Sequence, residues 1–209
     1  MRAETPAEHL ADAAVHAVGL GAVLAGIPLL LALPSALPLG TLLALLPYLL
    51  GLLASFACSA AYNLARDRPG KALLRRLDHA AIFLLIGGTY TPVARLAIGG
   101  TWGAVLLAVV WSGALAGAAI KLLAPGRYER ALIAAYLSLG WVGLMAMPVL
   151  LEALPPLQLG LLGGGGLLYS LGVLVHVSPW LPYGTAAWHA LVVVAAACHY
   201  AVILQLATC

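Results

Sequence analysis

The stretch LLALLPYLLGLLASFACSAAYNL, residues 42–64, runs for 23 positions without a charged side chain. An α-helix of about 20 such residues crosses about 30 Å of hydrocarbon, and an apolar run of this length is read as a membrane span. Working outward from it, six further apolar runs, two of them with a single charged residue, fill nearly all of the chain: 14–33, 80–98, 102–123, 131–151, 157–177 and 186–207. Hydrophobic residues make up 64% of the 209, charged residues only 8%, and mean hydropathy is +1.05. A soluble core with a wet surface does not have that composition. The fold class predicted is all-α and integral to the membrane, a seven-transmembrane helix bundle in one domain covering 1–209.

The same arithmetic excludes several function classes. A net charge of +3 with no contiguous basic face argues against nucleic-acid binding. Cys58, Cys198 and Cys209 are scattered and form no disulfide framework or metal knuckle, so they read as small apolar residues. Glu4, Glu8 and Asp12 against the single Arg2 make the leading segment unlike a cleavable signal peptide, and the first span is expected to stay in the mature chain.

Basic loops resist translocation, so the side holding Lys and Arg is cytoplasmic. Arg66, Arg68, Lys71, Arg75 and Arg76 lie between spans two and three, and Lys121, Arg127 and Arg130 lie around the loop between four and five. Arg2 falls on that side too, and only Arg95 on the other. The N-terminus is therefore predicted inside and the C-terminus outside.

Pro28, Pro47, Pro92 and Pro148 fall in or near spans, where neighbouring helices tolerate a kink. The run Gly163 to Gly166 reads as a close helix contact, since small residues let transmembrane backbones approach. More informative are polar groups at membrane depth, which are costly and mark function. Ser59 and Asn63 share a face of span two, and Thr185 and His189 share one of span seven; Asp78 opens span three beside His79. The predicted topology places all of them at cytoplasmic helix ends, where three helices point polar groups at one cavity. Each also has a bland reading. Asp78 caps the third helix, and His189 beside Trp188 anchors at the interface. His199 and His16 read as neutral, internally hydrogen-bonded histidines, and His176 as a weak candidate for the site.

The segment 78–92, DHAAIFLLIGGTYTP, resembles the signature of the hemolysin III family, the bacterial branch of the progestin and adipoQ receptor (PAQR) superfamily. Ser59-Ala-Ala-Tyr-Asn63 with its following basic loop, and Trp188-His189 through His199-Tyr200, resemble the family's second and seventh helices. The resemblance covers about residues 9 to 206 and implies seven spans with an inside N-terminus. It also implies, for some members, zinc-dependent hydrolysis of lipid amides, while bacterial members carry the hemolysin name. The implied zinc ligands are three histidines, at positions 63, 185 and 189, with Asp78 beside the metal-bound water and Ser59 nearby. This chain keeps His189, Asp78 and Ser59 but has Asn63 and Thr185, neither a usual zinc donor.

Two functions follow from these residues. The expected one is metal-free, with no cofactor: a sensor, lipid-binding or hemolysin-like protein whose pocket of Ser59, Asn63, Asp78, Thr185, His189 and neighbouring His79 takes a membrane lipid or lipid-like molecule. The alternative is a ceramidase-like intramembrane lipid amide hydrolase, with zinc on His189 and Asp78 and Ser59 catalytic; His79 or His176 would have to supply further ligands. A pore has little support, because so few polar residues give no continuous lining.

Overall fold

In the computed structural model, residues 5–32, 37–65 and 69–208 are described. Arg2, Arg66, Arg68 and Cys209, used in the topology and cysteine arguments, lie outside them. The described residues form helices and turns, with seven helices long and apolar enough to cross a membrane: α1 (Pro6–Ala32), α2 (Leu39–Leu64), α3 (Lys71–Ile98), α4 (Gly100–Leu123), α5 (Glu129–Ala153), α6 (Pro156–His176) and α7 (Gly184–Thr208). The chain is a multi-pass membrane protein. Leu10, Val18, Leu43, Leu50, Val105, Leu167 and Leu174 point outward, as a lipid-facing surface requires.

Two helices begin earlier than apolarity alone predicts. α1 starts at Pro6, not at 14, and α3 at Lys71, not at 80. Polar and charged residues continue a helix as readily as apolar ones, so hydropathy marks the hydrocarbon and not the helix end. Lys71, Arg75 and Arg76 thus belong to the first turns of α3, and Asp78 lies in its third turn. The capping role considered for Asp78 is overturned: the cap position is Gly70, with φ +93°.

α1 begins with a reciprocal cap. The Thr5 backbone N–H donates to Glu8 Oε2 at 2.7 Å and the Glu8 N–H donates to Thr5 Oγ1 at 3.3 Å, with Pro6 at the first helical position. Glu8 Oε1 also accepts the backbone N–H of Tyr183 at 2.8 Å, from the turn before α7.

The bundle is held closely by small residues. A Cβ at Gly51 would lie 2.8 Å from the Leu84 carbonyl oxygen and one at Gly88 2.5 Å from that of Pro47, so α2 and α3 meet backbone to backbone. A Cβ at Gly19 would lie 2.9 Å from both Phe56 and Val193, drawing α1 against α2 and α7. The 163–166 run divides: Gly165 abuts His199 and Gly166 abuts Trp141, while Gly163 and Gly164 face open space within an unbroken helix. His199 Nε2 lies 3.2 Å from the Leu162 carbonyl oxygen, the internal hydrogen bond expected of it.

Two helices are irregular beside proline. After Pro92, α3 winds as π-helix over Val93–Ile98. α5 changes to 3₁₀ over Val142–Ala146 before Pro148, and Tyr90 serves the gap by donating to the Gly140 carbonyl at 2.8 Å and accepting the Gly143 N–H at 2.9 Å.

Candidate functional site

Among apolar helices, the N-terminal part of α1, the C-terminal turns of α2 and the N-terminal parts of α3 and α7 bring their polar groups to one end of the bundle. At its centre His189 Nδ1 lies 2.6 Å from Asp12 Oδ1. On the other edge of the imidazole, Nε2 lies 3.5 Å from Ser59 Oγ. Ser59 is held from its own helix, because Asn63 Nδ2 donates to the Ser59 carbonyl oxygen at 2.9 Å and approaches its hydroxyl at 3.4 Å. Asp78 is buried near Ser59, His189 and His16, each of which acts on its carboxyl group electrostatically. His16, one turn along α1, puts Nε2 3.5 Å from Asp12 Oδ2 and its ring 4.3 Å from that of His189.

The site therefore joins four of the predicted residues, Ser59, Asn63, Asp78 and His189. Thr185 lies one turn before His189 on α7, half-buried. His79 does not join them. Its Nδ1 lies 3.3 Å from Lys121 Nζ, which also pairs with Glu129, and its carbonyl accepts from Tyr136. One position past Asp78 on a helix is about 100° round, and that rotation turns His79 toward α4 and α5. His176 lies beside Trp188, with ring centroids 5.3 Å apart and the planes tilted, and is not one of the Asp12, His16 and His189 group.

Asp12 and His16 were missed. The sequence reads His16 as a neutral, internally hydrogen-bonded histidine; in the structure its Nε2 has no hydrogen-bond partner among the described residues and lies 3.5 Å from Asp12 Oδ2. Starting the first span at 14 left Asp12 in a flank and separated it from a histidine one turn away. The i, i+4 spacing, which puts both on one helix face, was the available signal.

The metal that the resemblance implies does not fit at positions 63 and 185. Asn63 is an amide already engaged by Ser59, and Thr185 offers only a hydroxyl, whereas zinc takes thiolate, imidazole or carboxylate.

The comparison with known proteins agrees with this architecture. A family described as haemolysin-III related matches residues 7–200. The chain belongs to the haemolysin III family. It is similar to hemolysin-3 of Bacillus cereus, 39% identical over 113 residues that make up 54% of this chain and 52% of that protein. It is 34% identical over 143 residues to a hemolysin-3 homolog of Bacillus subtilis (strain 168), covering 68% of this chain and 67% of the other. The human monocyte to macrophage differentiation factor is 29% identical over 161 residues, 72% of this chain and 65% of that one. The matched region thus spans about half to two thirds of these relatives.

In this haemolysin III chain the site lies at one end of the seven-helix bundle. A cleft of about 450 Å³, lined among the described residues by Pro6, His9, Leu10, Ala13, Asn63 and Lys71, opens beside Asn63. Apolar walls from α1 and α2 with His9 and Lys71 at the rim suit an amphipathic molecule.

Proposed function

We propose that the chain is an intramembrane hydrolase of the plasma membrane, acting on an amide or ester bond near the polar head of a lipid at the cytoplasmic face. The observation that carries this reading is the convergence of Asp78, Ser59 and His189 inside an apolar bundle, where uncommitted polar groups are costly and cluster for function. Asp78 is the general base: it takes a proton from water as the water oxygen attacks the lipid carbonyl carbon. Ser59 donates to the oxygen that becomes negative, and Asn63 fixes the Ser59 turn. Collapse expels the amine or alcohol, which leaves with the proton returned by Asp78. His189, oriented through Nδ1 by Asp12, fixes the other side of Ser59.

The test is release of free fatty acid by the purified full chain in detergent, offered an N-acylated sphingoid base and a diacylglycerophospholipid in turn and read by mass spectrometry. Turnover that disappears in Asp78→Asn supports the reading; absence of turnover of either lipid by a well-folded chain refutes it. A second reading, a lipid-sensing pocket without turnover, is favoured by the hydrogen bond that ties Asn63 to the Ser59 turn. Saturable binding of the same lipids without product is its signature.

A further inference from the structure

We propose that Asp12, His16 and His189 form a divalent-metal site, with zinc the ion their chemistry suits, built on α1 in place of positions 63 and 185. Asp12 and His16 come from α1 and His189 from α7, and one ligand atom from each lies within 4.8 Å of the others. Two imidazoles and one carboxylate, with a position left open, are a catalytic zinc donor set.

Two further observations point to an ion. The first is His16 Nε2. The residue is 6% exposed and its Nε2 has no hydrogen-bond partner among the described residues, although it is aimed at Asp12 Oδ2 from 3.5 Å. A buried nitrogen without a hydrogen-bond partner is costly, and a metal bond removes that cost. The second is charge. Asp12 and Asp78 are both buried; Asp12 meets His16 and His189, and Asp78 lies near Ser59, Cys58, Tyr136, His189 and His16. Buried Lys121 is engaged by Glu129 and His79 instead. Two carboxylates at this depth among imidazoles and a hydroxyl call for a compensating cation.

The 2.6 Å contact between Asp12 Oδ1 and His189 Nδ1 is a short hydrogen bond, with one proton between the two atoms. Metal binding exchanges this proton for the ion and widens the contact. Ligation through Nδ1 leaves His189 Nε2 protonated and donating to Ser59 Oγ, the hydrogen bond that orients a metal-bound histidine. This deepens the hydrolase reading by naming its cofactor, and rests on that reading only for the use made of the ion.

The experiment is metal binding, read without activity. The purified full chain in detergent is stripped with chelator, titrated with cobalt(II) and followed by visible absorption, then competed with zinc. We expect one cobalt per chain, a band typical of nitrogen and oxygen donors, and displacement by zinc. His16→Gln and Asp12→Asn are expected to weaken binding by at least the roughly tenfold that even an outer-shell partner commands, while His199→Gln leaves it unchanged. Failure of the unmodified chain to bind, or binding indifferent to His16→Gln, overturns the proposal. X-ray absorption at the zinc edge of the unmodified protein decides the matter should the variants not fold: two imidazoles support the site, and any other count overturns it. Stoichiometric metal without lipid turnover removes the hydrolase and leaves the metal site standing; turnover without metal does the reverse.

Discussion

Glu8 Oε1 accepts the backbone N–H of Tyr183 at 2.8 Å, joining the first turn of α1 to the turn that starts α7, 175 residues away. One turn along α1 and at the same depth on α7 stand Asp12 and His189, so this contact and the Thr5 cap fix the register in which the two meet. Glu8→Ala removes both the capping-box acceptor and the interhelix bond. Charged hydrogen bonds of this kind are worth about 1.5–3 kcal/mol each and a cap about 1. We expect a lower midpoint of thermal unfolding in detergent, by several degrees, together with weaker cobalt binding. Glu8→Gln keeps an acceptor oxygen and should recover most of both. A variant that melts like the parent would show that α1 is held by its apolar face alone.

Asp78 lies in the third turn of α3, where it serves no cap, so replacing it should leave insertion and folding near normal. Asp78→Asn retains shape and the capacity to hydrogen-bond while removing the base. Loss of a positioned general base lowers a rate by about 10²–10⁴-fold. The expected outcome is that decrease in fatty-acid release with unchanged elution on size exclusion. Undiminished turnover would return Asp78 to a structural role.

How much was legible in the sequence differs by level. Seven apolar runs gave the spans, because hydrocarbon thickness acts directly on composition. Ser59, Asn63, Asp78 and His189 were legible because polar side chains stand out in an apolar helix. The starts of α1 and α3 were not, since hydropathy ends where the headgroups begin while hydrogen bonding of the helix continues. That error concealed Asp12 from His16. The direction of His79 was equally hidden, because adjacent helical residues point about 100° apart and only tertiary packing decides which one faces the cavity.

The topology rests on the basic residues flanking α2, α3, α4 and α5. Reporter fusions should place the 66–76 segment in the cytoplasm and the C-terminal end of α7 outside. Because the ends of α1, α2, α3 and α7 that hold the site lie at one end of the bundle, the same experiment assigns the site to a leaflet. A translocated 66–76 segment would move it to the outer face, and with it the lipids to be offered.

The last prediction separates the α1-based metal site from the histidine set implied at positions 63, 185 and 189. Asn63 lies one turn from Ser59, whose hydroxyl meets His189 Nε2, and Thr185 lies one turn before His189 on α7. Asn63→His with Thr185→His therefore places three imidazoles around the Nε2 side of His189, opposite Asp12 on Nδ1. Three imidazoles suffice for zinc. In the parent, His16→Gln is expected to abolish stoichiometric zinc; in the double variant, the same third substitution should leave about one zinc per chain. Binding that is lost on His16→Gln in both backgrounds would mean that positions 63 and 185 do not reach the site. Binding retained in both would exclude His16 as a ligand, leaving Asp12 and His189 with a partner other than α1 supplies.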